Sequence, residues 1–229
     1  MVETSALLLF DIDGTLLLSD GAGQRAMLEA GRQLFGNGFD FKDLDTSGKI
    51  DPQIFAELVE ANPHLEMAHA HDQFRDTYLQ LLSIELGRSR VWSLPGITAA
   101  LEVLSELEHV TLGLLTGNYG QAVPLKLRAA GLDPNLFAVT AFGDEAATRA
   151  DLVALAQARY QERTGNKLPR ERVIVIGDTP RDVECAHAHG CTAFAVATGR
   201  WEAEHLIAAG ADHVVENLAD LKPLLQLLA

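Results

Sequence analysis

A chain of 229 residues that is 48% hydrophobic and 22% charged has the composition of a globular protein with one large domain, or one domain with a modest insert. The formal net charge of -14 predicts an acidic surface, which disfavours nucleic acid and membrane surfaces as broad partners. No run reaches the roughly 20 apolar residues that cross a bilayer. Two cysteines and a start without a basic signal region favour a cytoplasmic protein with reduced thiols.

Apolar runs of strand length recur along the chain and predict a parallel sheet. Most are continuously apolar, as in strands that are covered on both faces. Helical patterns separate them, as in residues 97–108, 151–165 and 180–190. This alternation predicts an α/β fold with a doubly wound parallel sheet. The runs lie at 6–10, 110–116, 137–142, 172–177 and 192–197, with a weaker one at 213–215.

The interval between the first two strands is too long for an ordinary crossover. It holds no strong strand pattern, only helical stretches such as 23–35 and 51–61. We expect a helical cap domain at residues 19–92, inserted after the first strand. The core domain would then comprise residues 1–18 and 93–229, with hinges near 16–19 and 88–95.

Polar residues follow the predicted strands where each strand ends. Because ligands of open parallel sheets bind outside the carboxyl ends of the strands, we expect these residues to converge. Several carboxylates in one place require a compensating charge, and oxygen-only ligands suit Mg²⁺. Asp11 and Asp178 are candidate direct ligands, with Asp182 as a direct or indirect support. The set comprises Asp11, Asp13, Thr116, Gly117, Asn118, Arg149, Asp178 and Asp182.

The same residues can handle a phosphoryl group. One carboxylate can attack phosphorus, and a second one, two residues along, can protonate the leaving oxygen and then deprotonate water. Thr116 can donate its hydroxyl to a phosphoryl oxygen, beside the backbone N–H groups of Gly117 and Asn118. Arg149 would supply a permanent cation. Gly14 would allow a sharp turn after Asp13.

Three segments, "DIDGTL", "LLTGN" and "VIGDTPRD", resemble motifs I, II and IV of the haloacid dehalogenase (HAD) superfamily, in order and spacing. The resemblance covers essentially the whole chain and implies a Rossmann-like core with a C1-type cap. It implies that Asp11 is the nucleophile and Asp13 the acid and base. It also implies Mg²⁺ held by Asp11, the backbone carbonyl of Asp13 and Asp178.

Within that superfamily, an Asp at position 13 indicates phosphoester chemistry. We therefore expect a phosphatase that acts on a small phosphorylated metabolite, as a monomer or homodimer, in the branch of phosphoglycolate phosphatase and β-phosphoglucomutase. A phosphomutase is the alternative, followed by a non-enzymatic phospho-acceptor. The choice between phosphoglycolate-type and sugar-phosphate substrates stays open.

Motif III departs from the superfamily pattern, which presents a Lys followed by Pro. The corresponding stretch here is "DEAATRADL", so Arg149 is the expected substitute. Lys126 is the alternative source of the cation. The alternative without a catalytic role is that Arg149 or Lys126 is an ordinary solvated surface charge. In the predicted cap, "GKIDPQI" is expected to approach the site, which makes Lys49 a candidate substrate contact.

Overall fold

The computed structural model describes residues 5–41, 44–67 and 69–229. Residues 1–4 of the predicted core and residues 42, 43 and 68 of the predicted cap lie outside the described residues.

Up to Ser93, the chain contains one buried strand of five residues and three helices. A short strand lies at each end of the helical region. In chain order, the elements are β1 (Ala6–Phe10), β2 (Leu17–Leu18), α1 (Ala22–Phe35), α2 (Asp51–Ala61), α3 (His71–Arg88) and β3 (Trp92–Ser93).

After Ser93, helices and strands alternate, as the apolar runs predict. The elements are α4 (Ile97–Ser105), β4 (Val110–Thr116), α5 (Val123–Ala129), β5 (Val139–Phe142), α6 (Arg149–Thr164), β6 (Val173–Gly177), α7 (Pro180–Ala188), β7 (Thr192–Val196), α8 (Ala203–Ala208), β8 (His213–Val215) and α9 (Lys222–Leu228).

The six longer strands form one parallel sheet in the order β5-β4-β1-β6-β7-β8. The prediction of a doubly wound α/β sheet is confirmed. Side chains of β1 point alternately to two apolar layers, since successive strand residues face opposite sides. Leu8 and Phe10 pack in the layer with α4 and α9, whereas Leu7 and Leu9 pack in the layer with α6 and α7.

The helices α1 to α3 build a third apolar cluster of their own. It includes Phe39, Phe55, Phe74 and Tyr78, and it also takes in Tyr119 from the loop after β4. Because Tyr119 is completely buried there, the helical region is anchored to the sheet-bearing part of the chain directly above the end of β4.

The chain crosses between the sheet and these helices twice, at adjacent positions. Strands β2 and β3 pair antiparallel there, with Leu17 opposite Ser93 and Leu18 opposite Trp92. Strand β3 begins at the last position of the interval 19–92, in which the sequence shows no strong strand pattern. A pair of two-residue strands has too few positions to show periodicity, which is why the sequence pattern does not reveal it.

Within the described ranges, no helix is both long enough and apolar enough to cross a membrane.

Candidate active site

The floor of the site is the turn that follows β1. Asp11 is the first residue after the strand and is buried, with 5% of its surface exposed. Gly14 adopts a φ of 88°, in the left-handed region that favours glycine. Its carbonyl accepts a hydrogen bond from Thr198 Oγ1 at 2.6 Å. The turn thus brings Asp11 and Asp13 to the same edge of the sheet.

Three buried carboxylates meet at this edge. Oxygen atoms of Asp11, Asp178 and Asp182 all lie within 4.8 Å of one another. Arg149 Nη2 lies 3.1 Å from Asp11 Oδ1 and 2.6 Å from Asp182 Oδ1. Burial raises the pKa of Asp11 to about 6, against the opposing effect of Arg149. Burial, together with the charges of Asp182 and Asp11, also raises the pKa of Asp178 well above its usual range.

The carboxylate cluster fits a divalent cation. When all three carboxylates are ionised, one guanidinium leaves two negative charges uncompensated, and a divalent cation would balance them. All the side-chain ligand atoms are the hard oxygens that Mg²⁺ prefers. Asp178 fits between Gly14 and Gly199, where a Cβ at either position would overlap its carboxylate. Thr15 Oγ1 donates a hydrogen bond to Asp178 Oδ1 at 3.1 Å, which orients this carboxylate.

Asp182 differs from the other two carboxylates because its oxygens are already engaged. Its Oδ2 accepts from Thr179 N at 3.0 Å and from Thr179 Oγ1 at 2.8 Å, which caps helix α7. Its Oδ1 accepts from Arg149. These contacts favour an indirect role for Asp182 in holding Arg149 over a role as a direct metal ligand.

Asp13 lies on the other side of the cavity, against a different cation. Its Oδ2 accepts from Lys126 Nζ at 2.5 Å and from Asn118 Nδ2 at 2.8 Å. Lys126 Nζ also donates to Asn118 Oδ1 at 2.5 Å. The two cations that the sequence offered as alternatives thus occupy separate places, with Arg149 at Asp11 and Lys126 at Asp13.

The loop after β4 lies between the two acids and the helical region. Thr116 Oγ1 accepts from Asn118 Nδ2 at 2.8 Å, so its own O–H remains available to a ligand. The carbonyl of Gly117 accepts from the N–H of Asp51 at 2.7 Å. Asp51 Oδ2 in turn accepts from the N–H of Tyr119 at 2.7 Å. The first residue of helix α2 is therefore hydrogen-bonded to this loop in both directions.

Together these residues surround a cavity of about 530 Å³ between the sheet edge and helices α1 to α3. All the predicted site residues except Asp182 line the cavity. Asp182 contacts Arg149 without lining the cavity itself. Lys49 also lines the cavity, with its Nζ 2.5 Å from Glu57 Oε2.

Sequence reasoning assigned no role to several residues that the structure brings to the site. Thr15 was visible as the last residue of "DIDGT", and Asp51 as part of "GKIDPQI". Gly23 and Tyr78 also line the cavity, but they come from helical stretches with no distinguishing pattern.

Comparison with known proteins agrees with the motifs. The HAD-hydrolase-like family model matches residues 145–221. The chain is similar to a phosphoglycolate phosphatase of Vibrio vulnificus, at 27% identity over 94% of this chain and 93% of that protein.

Among solved structures, a hydrolase from Pseudomonas syringae has a TM-score of 0.74 at 22% identity and covers 97% of this chain and 98% of its own. CbbY from Rhodobacter sphaeroides in complex with phosphate has a TM-score of 0.69 at 20% identity, with 96% of each chain covered. These two likenesses show a shared fold. The family model, the three sequence motifs and the curated relatives together support a haloacid dehalogenase-like hydrolase of the cap-bearing phosphatase branch.

Proposed function

We propose that this enzyme is a Mg²⁺-dependent phosphatase that hydrolyses a small phosphorylated metabolite through an aspartyl-phosphate on Asp11. The observation that carries the proposal is the placement of Asp11 and Asp13 at one cavity, each with its own cation. Arg149 at Asp11 can bind phosphoryl oxygens beside the attacking carboxylate.

In the first step, a carboxylate oxygen of Asp11 bonds to phosphorus, and the bond from phosphorus to the ester oxygen breaks. Both contacts of Asp13 with Asn118 and Lys126 fall on Oδ2, so Oδ1 is left to carry the proton that the leaving oxygen takes. In the second step, Asp13 removes a proton from water, which attacks phosphorus, releases phosphate and restores the carboxylate of Asp11.

The remaining residues bind and orient. Asp11, Asp178 and the backbone carbonyl of Asp13 would hold Mg²⁺, which supplies positive charge against the phosphoryl oxygens when it is bound. Thr116 offers its free O–H to a phosphoryl oxygen. Asp182 keeps Arg149 in place through the 2.6 Å contact.

The proposal includes the division into a core of residues 1–18 and 93–229 and a cap of residues 19–92. The ribbon of β2 and β3 supports it, because both crossings lie side by side there. The helices over the cavity would exclude bulk water from the reacting groups. We also propose a cytoplasmic location, which the free, buried thiols of Cys185 and Cys191 support. All the proposed catalytic groups come from one chain, so either a monomer or a homodimer would suffice.

The test is phosphate release from a panel of small phosphate esters, with Mg²⁺ and with a chelator. We expect release that requires Mg²⁺ and is abolished in Asp11→Asn, which keeps the size of the side chain. Asp72→Asn is the matched control, because that side chain is 82% exposed and lies on α3. Release that persists in Asp11→Asn would refute the covalent mechanism. Activity that depends strictly on a sugar bisphosphate would favour the phosphomutase instead.

A further inference from the structure

The part of the cavity that faces helices α1 and α3 is where the leaving group of a phosphate ester would lie. Asp11 and Asp178 form the opposite wall, together with the loop after β4. A volume of about 530 Å³ falls in the ~300–1,000 Å³ range of pockets that enclose a whole small molecule. The cavity therefore has room for more than the phosphoryl group.

Two hydrogen-bond donors border the same space beside Gly23 in helix α1. A Cβ built on Gly23 would lie 3.8 Å from Lys126 Nζ and 3.9 Å from Tyr78 Oη. The missing side chain at Gly23 thus keeps open a space that both polar atoms reach.

Tyr78 Oη has no hydrogen-bond partner among the described residues, although only 1% of the Tyr78 surface is exposed. A tyrosine hydroxyl that borders a cavity can form a hydrogen bond with a ligand there. Lys126 Nζ has three N–H groups, and two of them are used by Asp13 and Asn118. One N–H of Lys126 and the hydroxyl of Tyr78 are therefore available to a ligand.

The charges around this space do not suit an anionic leaving group. Each basic side chain that the described residues place along the cavity already has an acidic partner. The pairs are Lys49 with Glu57, Lys126 with Asp13, Arg149 with Asp11, and Arg200 with Asp45.

A further acid, Asp20, also lines the cavity. Moving a carboxylate into a partly buried space without an uncompensated cation is unfavourable, and nearby carboxylates add repulsion. A neutral hydroxyl, by contrast, can accept from Tyr78 and Lys126 and donate to an acid.

We propose that Gly23, Tyr78 and Lys126 form a leaving-group subsite for a neutral, hydroxyl-bearing group, so that the substrate is a phosphorylated sugar or polyol and not a phosphorylated carboxylic acid. This inference rests on the proposed phosphatase function. It differs from the activity named for the curated relatives, whose substrate phosphoglycolate carries a carboxylate.

The experiment compares kcat/KM for glycerol 3-phosphate and 3-phosphoglycerate, which have the same carbon skeleton and differ by a carboxylate in place of an alcohol. We expect at least about a tenfold preference for glycerol 3-phosphate. The same preference is expected for a tetrose or pentose phosphate over phosphoglycolate. Hydrolysis of both classes with 3-phosphoglycerate or phosphoglycolate preferred would overturn the inference and leave the phosphatase function standing.

If none of these esters is hydrolysed with Mg²⁺, the proposed function fails, and the inference fails with it. The subsite itself is tested with Tyr78→Phe, which removes one hydroxyl. We expect KM for glycerol 3-phosphate to rise about fivefold, the effect of one lost neutral hydrogen bond. Tyr160→Phe, on the core-facing side of α6, is the matched control. An unchanged KM in Tyr78→Phe would refute the role of Tyr78 as a ligand donor.

Discussion

Asp51 can be used to test how much the contact between helix α2 and the loop after β4 contributes to the stability of the fold. Its carboxyl group is buried beneath the loop after β4, and burial raises its pKa from 3.8 to about 7, against the opposing charge of Lys126. When the pKa of a carboxyl group is higher in the folded chain than in the unfolded chain, the group stabilises the fold fully at pH values below the pKa of the unfolded chain. This stabilisation is lost as the pH rises through the pKa of the folded chain. The window for Asp51 therefore runs from about pH 4 to about pH 7.

The magnitude follows from the two pKa values. Each pKa unit corresponds to ~1.4 kcal/mol, so the shift of Asp51 from 3.8 to about 7 amounts to about 4 kcal/mol across the whole window. Between pH 5 and about pH 7, the carboxyl is ionised in the unfolded chain and still protonated in the folded chain. Over these two pH units the native chain loses about 3 kcal/mol of stability. Asp51→Asn keeps an acceptor for the N–H of Tyr119 but cannot ionise, so it lacks this loss.

The assay is urea unfolding of the native chain and Asp51→Asn at pH 5 and at pH 8. The free energy of unfolding of Asp51→Asn minus that of the native chain should increase by about 3 kcal/mol between the two pH values. Glu66→Gln, at an exposed position, should show no comparable increase. A difference that stays constant for Asp51→Asn would mean that Asp51 is ionised in the fold at pH 5, fully compensated by its neighbours.

Three further predictions concern the site and its supports. Arg149→Met should lower the free energy of unfolding by about 3–5 kcal/mol and kcat/KM by at least ~100-fold, because it leaves buried carboxylates without their partner; native stability and activity in this variant would refute the assigned role. Thr15→Val should raise the Mg²⁺ concentration for half-maximal activity about tenfold, with the exposed Thr98→Val as an unaffected control. Gly117→Ala should lower the free energy of unfolding by about 1–3 kcal/mol, since its Cβ would meet a backbone carbonyl, whereas Gly87→Ala, which meets nothing within 4 Å, should raise it by ~0.5–1 kcal/mol; equal effects of the two alanines on urea unfolding would contradict this reasoning.

The sheet could be predicted because most of its strands are short apolar runs. The predicted runs at 6–10, 110–116 and 213–215 coincide with β1, β4 and β8, and helix α2 has the predicted bounds of 51–61. These signals are local, since burial on both faces requires an apolar residue at every position of a strand. The convergence of the strand ends then follows from the parallel sheet itself.

The partners of the site residues could not be predicted in the same way. Lys126 and Asp13 are 113 positions apart, and Asp51 and Tyr119 are 68 apart. Their contacts depend on how α5 and α2 are placed against the strand ends, which no local periodicity encodes. For the same reason, the sequence offered Arg149 and Lys126 as alternatives, whereas the fold gives each of them a different carboxylate.

The strand order has a consequence for the order in which the chain can fold during synthesis. Strand β1 is made first but pairs only with β4 and β6, so about 100 residues separate Phe10 from its nearest partner strand at Val110. At ~5–20 residues per second, the ribosome takes about 5–20 s to cover that interval. During that time the helices of residues 22–88 can form, while the apolar segment "ALLLF" has no sheet to join. Nascent chains halted before residue 110 should therefore be the forms most dependent on chaperones.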